Sequence, residues 1–397
     1  MVNKFLVVVC AIPATLAQLT AIPFSPGFDI KKVASVATSI PSHSWEYGTA
    51  SEALLELYNP DYSVFGGKAF PVPTLQPDRT KSLNYARGKI KLGEGYSALY
   101  QGEGSAGDPL SLGVAGVMLG KTDERFKKAT EDSVSGIFAQ VPKWKNGAIS
   151  HRASVAELWA DFMYMAPPFL AYYAADQQDS DLLRETVHQC ELYRQVLRYN
   201  GKDQYNGLWM HIIGPQSQDT GLWSTGNAWA AAGMARVLAT VINAPVAKSQ
   251  SWQADAVANL TQWIGEILDG ARRTTLQDGL LRNYLNDVNS GHGFGEISGS
   301  SLMAATAYRM VVLRPQEFGQ EYIDWADGFR LALGKKDKQG RSRVSEQGVA
   351  MPTVNPLAWL DTTPFVDGSP EGQSFVVMMY AAWRDCVQAR RLRRNAN

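Results

Sequence analysis

Apolar residues return at helical spacing along most of this chain, in roughly eleven amphipathic stretches. The clearest run over 44–58, 109–120, 122–139, 153–174, 179–199, 223–243, 249–269, 299–313, 316–333 and 370–391. They come as couples joined by short polar turns, such as Gly120-Lys121-Thr122-Asp123 and Ala175-Asp176-Gln177-Gln178-Asp179. Longer segments rich in Gly, Asn, Asp and Trp separate the couples, at 60–107, 200–222, 278–298 and 334–369. A helix pair followed by a long connector, repeated about six times, predicts hairpins arranged in a ring. Within a couple the members differ. Stretch 153–174 is apolar nearly all round, whereas 179–199 carries Asp181, Arg184, Glu185, Arg194 and Arg198 on one side. The first kind is expected to be buried on every face and the second half-solvated. The pattern therefore predicts an all-α protein, an α/α barrel with inner and outer rings, whose connectors gather at one end. Trp209, Trp223, Asn227, Asn283, Tyr284 and Asn286 sit in or beside those connectors, a composition that suits a sugar cleft and also suits ordinary packed loops.

The N-terminus changes the picture. Lys4, the apolar stretch Phe5 to Ile12, Pro13 and small residues at Thr15 and Ala17 have the layout of a secretory signal peptide spanning 1–17. That apolar run is too short to span a bilayer, so the expectation is a secreted protein with one barrel over 25–393. With 38 basic and 38 acidic residues the formal net charge is zero, which argues against a nucleic-acid or anionic-membrane partner. Hydrophobic residues make up 45% and charged residues 19%, as a well-buried globular core requires. Cys10 falls in the signal, and an oxidising compartment permits a bridge between Cys190 and Cys386 without requiring one. Asn259-Leu-Thr261 is an N-glycosylation sequon.

Candidate chemistry centres on Asp161, a carboxylate among Leu158, Trp159, Phe162, Met163 and Met165. On a helix those neighbours would desolvate it and raise its pKa, as a general acid requires. From the residues alone a brace to Arg152 or a histidine is the better account, because structural ion pairs also perturb a carboxyl pKa. Asp108 precedes Pro109 at a helix start, the ordinary N-cap arrangement. The five histidines, His43, His151, His188, His211 and His292, show no metal-ligand spacing. His151 and His211 lie by connectors beside tryptophans, and His188 belongs to an outer helix. No G-x-S-x-G elbow occurs, and the glycine-rich stretch 290–301 lacks a phosphate-loop lysine; Glu296 within it is a second carboxylate or a helix cap.

Several segments together are similar to a known family. "HRASVAELWADFMYMAPPFLAYYA", "GLWMHI" with "GLWSTGNAWAAAGMARVL", "NYLND" with "GEISGSSLMAATAYRM", and "GSPEGQSFVVMMYAAWRD" resemble, in order over about 44–391, the unsaturated uronyl hydrolases. These are six-hairpin enzymes of glycoside hydrolase families 105 and 88, the first being the closer match. The resemblance implies an (α/α)6 barrel that removes a 4,5-unsaturated uronic acid from the non-reducing end of lyase-generated oligosaccharides. Both galacturonyl-rhamnose and glucuronyl substrates occur among such enzymes. No metal or organic cofactor is implied.

Residue by residue, the resemblance makes Asp161 the acid/base of W-x-D-x-x-Y-M, with Trp159, Tyr164 and Met165, and Asp108 the second active-site carboxylate. It implies substrate binding by His151, Arg152, Trp159, His211, Trp223, Asn227, Trp229 and Tyr47. One departure stands out: Thr225 occupies the place of an arginine suited to a substrate carboxylate, a role that then passes to Arg152. The implied chemistry is protonation of C4 by Asp161 and addition of water at C5, with one carboxyl serving as acid and then base. A saturated β-glucuronidase, a non-catalytic sugar-binding protein and a helical-barrel isomerase are the competing readings.

Overall fold

A computed structural model describes residues 21–396. The expected signal segment and Cys10 lie outside the described residues. Six inner helices carry the barrel: α2 (Ser44–Tyr58), α4 (Gly113–Gly120), α7 (Pro167–Gln177), α9 (Ser224–Asn243), α11 (Ile297–Leu313) and α13 (Pro370–Ala396). Their outer partners are α1 (Ile30–Ser39), α3 (Lys81–Arg87), α5 (Glu124–Ala139), α8 (Ser180–Leu197), α10 (Gln253–Arg272) and α12 (Gln320–Leu333). A one-turn helix, α6 (Phe162–Met165), precedes α7. Contacts run from α2 through α4, α7, α9, α11 and α13 back to α2, so the inner ring closes as an (α/α)6 barrel. The ring closes across the chain ends: α1, which the hydrophobic pattern does not single out, packs on α13.

Burial separates the two rings as the patterning predicts. In α9 every residue from Ser224 to Val241 is buried, because small side chains dominate and neighbours press on all faces. Outer helices bury one stripe, as α8 does with Leu183, Val187, Cys190, Tyr193 and Leu197, while His188 stays exposed beside Glu191. Asp29, Asp123 and Asp179 cap α1, α5 and α8 by accepting backbone N–H bonds.

At the end opposite the connectors' cavity the inner ring encloses charge. Arg236 of α9 pairs with Glu52 and Glu56 of α2, and Arg309 of α11 reaches Glu56 at 2.7 Å and Asp385 of α13 at 2.6 Å. Both guanidinium groups are buried. Such a group is strongly destabilising only if one member is lost.

One prediction needs correction. Stretch 153–174 is not one helix: residues 153–157 are irregular, β1 (Leu158–Trp159) pairs antiparallel with β2 (Ile212–Ile213), and α6 and α7 follow. Pro167 and Pro168 account for the junction between α6 and α7, while the strand pairing of Leu158 and Trp159 holds the residues before α6 out of a helix. Cys190 and Cys386 are both buried free thiols, not a bridge.

Candidate active site

Residues at the N-terminal ends of three inner helices, α2, α9 and α13, line one cavity of about 400 Å³. Helix N-termini carry partial positive charge, so this end of the barrel favours an anionic ligand. Asp108, His151, Arg152, Trp159, Asp161, His211 and Trp223 line it together with Trp45, Glu103, Ser105, Trp359 and Glu371.

The β1–β2 ladder sets the centre. It pairs Trp159 with Ile212, and the Ala160 N–H donates to the His211 carbonyl at 2.9 Å, so Asp161 arrives beside His211. Gly233 of α9 allows the turn after Asp161 to seat closely, because a Cβ there would lie 1.9 Å from the Met163 carbonyl oxygen. Asp161 precedes α6 with helical backbone angles but its side chain caps nothing. The carboxyl is therefore free to face the cavity, with Oδ2 lacking a hydrogen-bond partner and His211 Nε2 3.3 Å away. The expectation of an all-apolar helical setting is thus corrected: Asp161 stands at a strand-to-helix turn with an imidazole behind it.

His211 is fixed from its other side. Its Nδ1 lies 2.9 Å from Asp219 Oδ2, which also accepts from the Tyr284 hydroxyl at 2.5 Å, while Asp219 Oδ1 accepts from the Gly221 N–H at 2.9 Å. Burial opposes charge on His211, but Asp161 and Asp219 outweigh it and raise the imidazole pKa. Burial likewise pushes Asp219 up, yet the bonds from His211, Tyr284 and Gly221 win and hold its carboxyl down at about 2.

Asp108 opens a short 3₁₀ turn, but the N-cap expectation fails. Ser105 Oγ accepts the N–H groups of Gly107 and Asp108 at 3.1 Å each, which leaves the Asp108 carboxyl for the cavity. Burial, then the charges of Glu103 and Asp161, push its pKa up to about 8. His151 Nε2 lies 3.5 Å from Asp108 Oδ1, and the ring stacks on Trp159 with centroids 5.0 Å apart. Burial takes the His151 pKa down to about 3, so it is a neutral imidazole at neutral pH. A Cβ at Gly107 would lie 2.7 Å from His151 Nδ1, so only glycine permits this approach.

Arg152 lies over the Trp159 ring at 4.5 Å, its Nε 3.7 Å from Glu157 Oε1. Glu157 is already engaged by the Trp159 indole and by the N–H groups of Gln216 and Ser217. The guanidinium is consequently positioned but not neutralised by a close hydrogen-bonded pair.

Three of the expected binding residues stand elsewhere. Asn227 spends its amide on the backbone of Trp209 and Trp223. Trp229 is fully buried between Tyr164 and Phe375. Tyr47 packs with Tyr85 and Tyr100 rather than in the cavity wall. Thr225 is buried and does not line the cavity either. Glu296 caps α11 through Ser298 N and Gly299 N. Sequence reasoning missed Trp45, Glu103, Asp219, Trp359 and Glu371, which meet the site only through tertiary packing. One signal was legible: Asp219 lies eight residues after His211 in a turn-rich stretch that the chain must fold back. Among the described residues no group of His, Cys, Asp or Glu is arranged to hold a metal ion.

The Glycosyl Hydrolase Family 88 model matches residues 117–336, which include Asp161, His211 and Asp219. The chain belongs to glycosyl hydrolase family 88. As a family 88 chain it is a glycoside hydrolase. Similar solved structures include a possible family 105 member from Salmonella enterica serovar Paratyphi A, 15% identical over 90% of this chain and 93% of that one, with a TM-score of 0.65. A family 105 glycoside hydrolase from C. acetobutylicum is also 15% identical, over 90% of this chain and 99% of that one, with a TM-score of 0.65. The unsaturated glucuronyl hydrolase of Bacillus sp. GL1 is 14% identical over 88% and 94%, with a TM-score of 0.55. At these identities the likeness is one of fold. Comparison with curated proteins returns no match.

Proposed function

We propose that this family 88 hydrolase removes a 4,5-unsaturated uronic acid from the non-reducing end of lyase-generated oligosaccharides by hydrating the C4=C5 double bond. The observation that carries this reading is the meeting of Asp161, Asp108 and His211 in one tryptophan-walled cavity with a single arginine, Arg152. Arg152, stacked on Trp159, is the partner for the substrate carboxylate. Asp161 then delivers a proton to C4, with the His211 imidazole 3.3 Å away to steady the carboxylate left behind. Cationic character develops at C5 and the ring oxygen. Water adds at C5 and returns its proton to the Asp161 carboxylate, which closes the acid/base cycle. The resulting hemiketal opens to a 5-keto acid, and the former glycosidic carbon, now a hemiacetal, releases the neighbouring sugar. Asp108, which carries its proton at neutral pH, donates a hydrogen bond to the bound ring.

A second reading makes Asp108 the proton donor, and its pKa of about 8 favours it. The two are separated below by single substitutions. The experiment that tests the function is loss of the ultraviolet absorbance of the conjugated double bond, with rhamnogalacturonan-derived and glucuronyl-derived unsaturated disaccharides assayed in parallel. Loss in either mixture, abolished in Asp161→Asn, supports hydration and names the substrate class; unchanged absorbance in both with folded protein refutes it. We propose further that the enzyme is exported, on the strength of its first seventeen residues; a product recovered from the medium should begin near Gln18.

A further inference from the structure

Glu371 is the second residue of α13, in the first turn, where a carboxylate is favoured by the helix dipole and the free N–H groups. It does not cap here. Ser369 Oγ takes the Gly372 N–H, and the Glu371 carboxyl turns into the cavity wall. Its Oε1 accepts the Trp45 indole N–H at 2.8 Å. Its Oε2 is buried without a partner, although the residue as a whole is only 2% exposed. The charged groups that act on it among the described residues are acidic, Asp161, Glu46 and Glu296, with no basic side chain among them. Leaving a buried carboxyl oxygen unpaired is unfavourable, so such a group points to a ligand that completes it.

We propose that Glu371 and Trp45 form a specificity-determining pair in which Oε2 of Glu371 recognises one ring hydroxyl of the bound sugar and Trp45, oriented by Oε1, offers its ring to the sugar face. This rests on the reading of the cavity as a sugar site. A hydroxyl fits better than the other polar groups of a uronide because it both donates and accepts. It satisfies Oε2 whether or not Glu371 carries a proton, whereas a substrate carboxylate would meet Glu371, Asp161 and Glu103 in one space. Burial, followed by the charge of Asp161, drives the Glu371 pKa well above its ordinary value, which agrees with a neutral carboxyl that donates. The indole bond to Oε1 also fixes the Trp45 ring, and a fixed aromatic face binds a sugar at low entropic cost.

The test measures binding by calorimetry in an Asp161→Asn background, which holds ligand without turnover, using an unsaturated uronyl disaccharide. Glu371→Gln keeps the shape and both kinds of hydrogen bond and should bind within about threefold of the background, whereas Glu371→Leu should bind tenfold or more weakly. In the otherwise unaltered enzyme Glu371→Leu should raise KM more than it lowers kcat. Should Glu371→Leu fail to fold, singly deoxygenated disaccharides against intact Glu371 give the same answer: one position should lose tenfold or more, a loss that Glu371→Gln should keep and Glu371→Ala should abolish. Unchanged affinity in folded Glu371→Leu, or equal tolerance of every deoxygenated ligand, overturns the inference alone. Failure of the background to bind unsaturated and saturated uronides alike overturns the sugar-site reading and this inference with it.

Discussion

His211 Nδ1 and Asp219 Oδ2 stand 2.9 Å apart, and this buried pair turns the other ring nitrogen of His211 towards Asp161. A carboxylate that fixes a histidine's orientation and charge acts on whatever the second nitrogen touches. Asp219 is therefore a positioning residue for Asp161.

Asp219→Asn should lower kcat tenfold or more and destabilise the fold by about 1–3 kcal/mol. The stability loss should depend on pH with a defined sign. The raised His211 pKa contributes stability that is full below the ordinary histidine value and fades as pH rises through the raised one. The depressed Asp219 pKa contributes stability that is full above its ordinary 3.8 and fades as pH falls through about 2. Denaturant melts of both proteins at pH 2, 5 and 9 should therefore differ most at pH 5. A difference independent of pH would contradict the pair.

Asp161→Asn and Asp108→Asn separate the two proton assignments. If Asp161 is the acid/base, its asparagine variant should lose about a thousandfold in kcat, the range of general acid–base catalysis, while the Asp108 variant retains measurable turnover. Since Asp108 acts protonated, activity of the unaltered enzyme should fall as pH rises through about 8, and that limb should vanish in Asp108→Asn. Complete loss only in Asp108→Asn would transfer the proton donor role to it.

Arg152 and Thr225 make opposite predictions. Arg152→Ala should raise KM for the uronide by tenfold or more with a smaller change in kcat, and Arg152→Lys should recover only part, because lysine lacks the planar fork and the stack on Trp159. Thr225→Arg should not restore affinity. The residue is fully buried off the cavity wall, so an arginine there is overpacked and desolvated, and thermal melting should shift down by several degrees.

Glu56→Ala should destabilise without touching the cavity. It leaves Arg236 and Arg309 short of an anionic partner in the barrel interior, which costs about 3–5 kcal/mol when a buried pair is broken. Replacing all of Glu56, Arg236 and Arg309 with apolar residues should recover much of that loss, a non-additivity that chemical denaturation would read directly.

The hydrophobic period determined the class, the hairpin couples and the inner and outer characters of the helices, because burial on all faces or on one stripe is written in local composition. The family resemblance, not the period, marked Asp161, Asp108, His151, Arg152, Trp159, His211 and Trp223, seven residues that do share the cavity. It misplaced Asn227, Trp229 and Tyr47, since nearness to a motif does not say which way a side chain points. The period passed over α1, whose ten residues pack on α13 from the other end of the chain. The environment of Asp161 was decided elsewhere: the β1–β2 pairing brings His211 to it across fifty residues, and Asp219 and Tyr284 then set the state of His211. Glu371 and Trp45 meet 326 positions apart only because the ring closes between α13 and α2. Periodicity is a local property of the chain, whereas a pKa, a free carboxyl oxygen and a cavity wall arise from long-range contacts.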